Sequence, residues 1–166
     1  MLQPYRAHTW APSGQTPVQR AWDRRDRLSA ICALSLSPHH RHISLNHLLQ
    51  RGNIPAPDVI SFLKQLHNRL KNKLILVIDR YQVHRSAIRQ LRDAGTRWLS
   101  VEWLPSYSPD LDPVEAVWAH TKCVDLANFV PDDIDELHHA VFNSLTEQAH
   151  DPVLKAAYFK WAGLRL

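Results

Sequence analysis

Cysteine is nearly missing from this chain: Cys32 and Cys123 are the only two in 166 residues. Neither falls in a metal-type spacing, so no zinc motif is built on cysteine, and a reducing cytoplasm is the expected compartment. Long apolar runs are missing as well, so no segment is long enough to span a membrane, and no signal peptide starts at Met1. Internal repeats and low-complexity tracts are absent. What is present is the composition of an ordinary globular chain, 45% hydrophobic and 22% charged, of a length that suits one domain with a real core. The formal charge of +4 and the 11 histidines lean toward a polyanionic partner without establishing one.

Along the chain, residues 1–26 carry Pro4, Pro12, Gly14 and Pro17 and little apolar periodicity, which predicts an irregular segment. Arg27 to Leu36 and His42 to Leu49 predict two strands, joined as a hairpin through Pro38-His39-His40-Arg41. Ala56-Pro57-Asp58 opens a helix on which Val59, Phe62, Leu63, Leu66 and Leu70 fall at helical spacing. Ser86 is the expected cap of a second helix, ended by Gly95. A short strand from Leu99 to Leu104 precedes a proline-bounded loop, Pro105 to Pro113. Helices are expected near Asp112 and from Pro131-Asp132-Asp133, the latter with Ile134, Leu137, Val141 and Leu145 on one face. The order predicts an α/β domain, a mixed sheet covered by helices.

Two places concentrate the chemistry. Leu74-Ile75-Leu76-Val77-Ile78-Asp79 is a β-branched run ending in a carboxylate, read as a strand buried on both faces. Ligands of open α/β sheets collect where such strands end. The second place is Glu115, in Tyr107-Ser108-Pro109-Asp110-Leu111-Asp112-Pro113-Val114-Glu115. The gap between the two acids holds one helix and one strand, enough for the chain to return beside the first strand. Paired carboxylates form a hard, oxygen-rich site suited to Mg²⁺ or Mn²⁺. Phosphoryl-transfer nucleases use such sites to hold two cations about 3.5–4 Å apart.

The chain resembles the DDE transposases of bacterial insertion sequences related to mariner. The matching residues are Thr9-Trp10-Ala11-Pro12-Ser13-Gly14-Gln15-Thr16-Pro17, the strand ending at Asp79 with His84 beyond it, and the string from Trp103 through Leu-Pro-Ser-Tyr-Ser-Pro to Glu115 and Trp118. Lys122 and Leu126-Ala127-Asn128-Phe129 continue the match. The resemblance implies a ribonuclease H-like fold, with residues 27–150 as the catalytic domain and 151–166 as a helical tail. It implies Asp79 and Glu115 as the second and third catalytic acids and metal ligands. Two Mg²⁺ or Mn²⁺ ions are implied in an intact relative, with transposon-end and target DNA as partners. Arg80, His84, Asp112 and Lys122 are the companions expected around the metals or the phosphate. A homodimer, or a pairing with a full-length transposase, is the implied assembly, in a bacterial cytoplasm at the nucleoid.

Departures are equally specific. Arg80 and Asp112 stand where the family usually has asparagine. The family's first aspartate ends a strand upstream of the Thr-Trp-Ala-Pro segment, and here Met1 to His8 contain no acid. Asp23 and Asp26 follow that segment and are misplaced for the role. The expectation is a transposase truncated at its amino terminus, inactive alone, by decay, frameshift or a late start. Its first central strand would be missing, leaving Leu28–Leu36 and Leu74–Asp79 without their shared neighbour.

Plainer readings stand beside these. Asp112, Pro113 and Glu115 also form a helix capping-box pattern, although the long flanking string favours the metal-ligand role for Glu115. Trp118 is expected to bury the helix face that directs the glutamate. His84 is either a phosphate-orienting group or a surface histidine, and His39, His40, His42 and His47 read as a histidine-rich turn and strand rather than zinc ligands. Arg85, Arg89, Arg92 and Arg97 form either a phosphate-facing stripe or a solvated helix face. The six tryptophans, Trp22 among them, suit core or rim more than base stacking. Against the enzyme reading stand a non-catalytic, DNA-binding chain that interferes with a full-length transposase and, more weakly, a different metal nuclease of the same fold.

Overall fold

A computed structural model of the chain describes residues 7–15, 18, 27–39 and 42–165. Asp23, Asp26, Trp22 and the turn residues His40 and Arg41 lie outside the described residues, as does much of the 1–26 segment. Residues 7–15 hold no helix or strand; Gly14 takes φ +82° in a turn closed by Gln15 N–H on the Pro12 carbonyl at 3.0 Å. The backbone N–H of Ala7 donates to Asn128 Oδ1 at 2.9 Å, which ties this segment to the far end of the domain.

Strand β1 (Leu28–Leu36) pairs antiparallel with β2 (Ile43–Arg51), in register from Leu36 opposite Ile43 to Leu28 opposite Arg51. Alternation places Leu28, Cys32 and Leu34 on one face and Ile31 on the other, and both faces meet protein. Helix α1 (Ala56–Leu70) buries Val59, Phe62, Leu63 and Leu66 and stops at Lys71, whose φ of +55° closes the helix in the left-handed region. Strand β3 (Leu74–Ile78) then runs parallel to β4 (Leu99–Trp103), and helix α2 (Gln82–Asp93) makes the crossover between them. Beyond β4 come a 3-10 turn (Pro109–Leu111) and α3 (Pro113–His120). A π-helical turn (Thr121–Asp125), α4 (Ile134–His150) and α5 (Pro152–Trp161) complete the chain.

Helix α2 begins four residues before Ser86, with Tyr81 at its N-cap. The start signal is Asp79, whose carboxylate accepts the backbone N–H of Tyr81 two residues on, an aspartate turn that sets the first helical residues. Ser86 sits inside the helix, where its hydroxyl accepts a bond from Gln90. Gly95 ends the helix as expected, with φ +71° and the Thr96 N–H returning to the Leu91 carbonyl.

Two cores result. One joins Leu28 and Leu45 of the hairpin to Ala116, Val117, Val141, Leu145 and Tyr158 of α3, α4 and α5. The other joins Val59 and Leu63 of α1 to Ala87, Ile88 and Leu91 of α2, with Ile31, Leu76 and Val101 packed against it. Because α3, α4 and α5 lie over the hairpin, the second face of β3 receives no cover among the described residues. Ile75 is 76% exposed and Val77 58% exposed. The expectation of a strand buried on both faces fails there: Leu74, Leu76 and Ile78 face α1 and α2, and their neighbours face outward.

Among the described residues β1 bonds only to β2, and β3 only to β4. Each two-stranded piece therefore has an edge with no strand beside it among the described residues. The α1–α2 core spans both pieces, since Ile31 of β1 and Leu76 of β3 pack on the same cluster.

Candidate active site at the end of strand β3

Asp79 follows the last residue of β3, where the strand pair ends and the Leu104 N–H still bonds the Ile78 carbonyl. Its side chain is 57% exposed. Oδ1 accepts two bonds, from Tyr81 N–H at 3.1 Å and from His84 Nδ1–H at 2.5 Å. A carboxylate oxygen accepts, so His84 Nδ1 is the donor in this contact. Tyr81 sets its ring edge-on to His84 at 5.6 Å. The first turn of α2 thus clamps one oxygen of Asp79 and leaves Oδ2 without a hydrogen-bond partner among the described residues.

Glu115 arrives from the other side. Trp103 ends β4 opposite Ile78, and the Pro105–Pro113 loop, with its 3-10 turn, carries the chain to α3. Asp112 is the N-cap of α3, its Oδ1 accepting the Val114 N–H at 3.0 Å, with Pro113 in the first helical position. The capping pattern is only half realised. Glu115 sends no side-chain bond back to Asp112, whose own N–H goes to the Pro109 carbonyl. The Glu115 carboxylate makes no hydrogen bond among the described residues, while Ala116 and Val117 behind it are buried and Trp118 packs on the hairpin core.

Electrostatics show that these side chains share one place. Burial raises the Asp112 carboxyl above its ordinary 3.8; the Val114 N–H opposes that, the Asp79 charge adds to it and His84 lowers it. Glu115 is raised above 4.5 by loss of hydration, then by the Asp112 charge, with Lys122 opposing and Asp79 adding. Asp79, His84, Asp112, Glu115 and Lys122 are therefore brought together. Arg80 is not: it is exposed and makes no hydrogen bond or ion pair with these acids. Three mutually repelling carboxylates, one with an unclaimed oxygen and one with no hydrogen bond, are a donor set suited to a divalent cation. As the side chains stand, no group of three metal-ligating residues among the described residues is close enough to hold an ion.

Residues that the sequence did not flag support the site from behind. Lys122 lies in the π-helical turn, and that turn is held by a buried knot. Gln148 of α4 donates to Thr121 Oγ1 at 2.8 Å and accepts from the Tyr158 hydroxyl at 2.6 Å, and Ser144 donates to Asp125 at 2.7 Å. His120 closes it on Asp125 at 3.3 Å. Thr121 and Gln148 are 1% and 2% exposed. The available signal was Ser144 and Gln148 on the apolar side of α4 beside Val141 and Leu145. A π-turn inside an α-helix recurs at functional sites.

Residues 1–137 match the family model described as DDE superfamily endonuclease. Endonucleases of this superfamily generally use divalent metal ions. A chain in the crystal structure of the Mos1 strand transfer complex is similar in fold, with a TM-score of 0.55 and 18% identity. The similarity covers 98% of the present chain and 47% of that one, so this chain spans about half its length. Comparison with curated proteins gave no match. Among the described residues no helix is long and apolar enough to cross a membrane. With its α/β, ribonuclease H-like architecture and a match over most of its length, the chain belongs to the DDE superfamily of endonucleases.

Proposed function

We infer that this chain is a transposase catalytic domain whose chemistry is metal-dependent phosphoryl transfer on DNA, with Asp79 and Glu115 as its acids. The observation that supports it is the electrostatic meeting of Asp79, at the end of β3, with Asp112 and Glu115, at the start of α3. The reaction in this reading is hydrolysis at a transposon end, then attack of the freed 3′-hydroxyl on a target phosphodiester. Each step forms one P–O bond and breaks another in line. When bound by Asp79 and Glu115, two Mg²⁺ or Mn²⁺ ions supply charge neutralisation at the phosphate and a more acidic nucleophile. His84 fixes the direction of Asp79. Lys122 opposes the rise of the Glu115 carboxyl and offers a cation to the phosphate, and Asp112 holds the helix start that aims Glu115. The wider protein acts at the bacterial nucleoid as a homodimer or beside a full-length transposase. The 27–150 unit carries the chemistry and 151–166 closes it.

The test pairs metal uptake with cleavage. Free Mn²⁺ measured by electron paramagnetic resonance should fall on adding the chain, and Asp79→Asn or Glu115→Gln should weaken uptake by about tenfold or more. Nicking of supercoiled plasmid should stay at background if Asp79 and Glu115 act without the family's first aspartate. Robust nicking lost in both variants would uphold the site and overturn the inactivity. Nicking or metal uptake indifferent to both substitutions would remove the assignment. A second reading, a DNA-binding chain that interferes with an intact transposase, draws support from the two-acid motif and the +4 charge. Co-expression with an intact relative should then lower transposition, and an unchanged frequency would sink it.

A further inference from the structure

Helix α2 starts at the active-site end of β3 and leads away from it, and its outward face is arginine. Arg85, Arg89 and Arg92 are spaced i, i+4 and i+7, which puts all three within one narrow stripe of the helix. All three are exposed, while Ala87, Ile88 and Leu91 turn into the α1–α2 core. The stripe carries no neutralising partner among the described residues. The ion pairs among the described residues are Arg51–Asp135, His84–Asp79 and His120–Asp125, and none uses these arginines. Asp93, four residues after Arg89 and placed to pair with it, does not. Like charges so spaced on a helix repel, which favours a counter-charge from outside the chain.

The spacing identifies that counter-charge. Seven residues of helix rise about 10 Å, so the stripe is about as long as three successive phosphate-to-phosphate steps of one duplex strand, at about 3.4 Å each along the axis. Arginine suits this contact because its planar, weakly hydrated guanidinium meets a phosphate with two parallel bonds. Position supplies the rest. Arg85 directly follows His84, which is bonded to Asp79, so a strand whose phosphate lies at the carboxylates continues onto α2.

We propose that Arg85, Arg89 and Arg92 form a track for the phosphate backbone of duplex DNA flanking the reacting phosphate, which holds the duplex in line with Asp79 and Glu115. The proposal rests on the DNA-processing reading of the site. It adds a surface and a direction: the duplex leaves the acids along α2.

The test is fluorescence anisotropy of the full chain with a labelled duplex of random sequence across a salt series. Arg85→Gln/Arg89→Gln/Arg92→Gln is compared with a control lacking three exposed cations elsewhere, Lys73→Gln/Lys160→Gln/Arg165→Gln. Loss of three phosphate contacts should flatten the dependence of log K on log salt by about 2.7. Between about 50 and 200 mM salt the wild-type chain then loses roughly 40-fold more affinity than the triple variant. The control should keep the wild-type slope, and Arg→Lys at the three α2 positions should restore most of it. Gln is a good helix former, and unchanged circular dichroism verifies that α2 persists. Equal flattening in the control, or no flattening in the α2 variant, overturns the track and leaves the reading of the acids standing. Equal α2-dependent binding to polyglutamate assigns the stripe to an acidic protein and overturns it too. A wild-type chain that binds no duplex at any salt removes the DNA reading itself, and the track with it.

Discussion

Glu115 is a residue whose position costs stability. Its carboxyl has lost part of its hydration and faces Asp112 and Asp79, with only Lys122 opposing, so its folded pKa lies above 4.5. A group raised on folding contributes most stability below its unfolded pKa, and that contribution is lost as pH rises through the folded value. Glu115→Gln removes the charge, so thermal melting at neutral pH should move up, and the gain should vanish as pH falls below about 4.5. A melting-temperature series across that range checks it; a variant less stable than wild type at pH 7 would show that the crowding is not felt. His84 belongs to the same scale. His84→Ala removes one of the two bonds that orient Asp79, so Mn²⁺ uptake should weaken by about 10- to 100-fold while folding is retained. Retained uptake would assign His84 to the surface.

At the level of elements, α3 matters because it aims Glu115 and then changes pitch. The π-turn at Thr121–Asp125 is locked from α4 and α5 through Gln148, Ser144 and Tyr158. Gln148→Leu takes one of two bonds from the Thr121 hydroxyl and leaves the buried Tyr158 hydroxyl without its partner, about 1–3 kcal/mol for the group left unsatisfied. Urea unfolding should show that loss, and Mn²⁺ uptake should weaken with it if the π-turn sets Lys122 against Glu115. Asp151→Ala gives the comparison. It removes the N-cap of α5, where Asp151 accepts from Val153 and Leu154 at 2.8 and 2.9 Å. The expected loss is about 1 kcal/mol, or about 2–4 °C in melting temperature, with no effect on metal uptake.

For the molecule as a whole, the consequence of two separate strand pairs is an unfinished surface. β3 presents an edge with no strand beside it among the described residues and a face carrying exposed Ile75 and Val77. Flat apolar edges of this kind pair with other chains. Ile75→Thr/Val77→Thr keeps β propensity and removes apolar surface, so light scattering at micromolar concentration should show less self-association than wild type. Equal association would place the contact elsewhere.

Much of this architecture was legible because its signals are local. The period-2 hairpin, the period-3.6 faces of α1 and α4, and the glycine that ends α2 act within a few residues of themselves. Each was read within about two residues of where it formed. The Leu-Pro-x-Tyr-Ser-Pro string located Glu115, and the apolar run located Asp79. The start of α2 was misread because it is set by the Asp79 turn onto the Tyr81 N–H ahead of the helix, not by Ser86 within it. The exposure of Ile75 and Val77 was misread because an apolar run records what a strand prefers to meet, not whether another layer arrives to meet it. Sequence by itself carried most of the element order and the match to the superfamily. Only the tertiary structure decided that Glu115 sends no bond back to Asp112, that His84 clamps one oxygen of Asp79, and that Gln148 fastens a π-turn behind Lys122. The physical reason is one of range: helix and strand preferences are set by near neighbours, whereas charge repulsion and buried polar bonding depend on residues the chain brings together from afar.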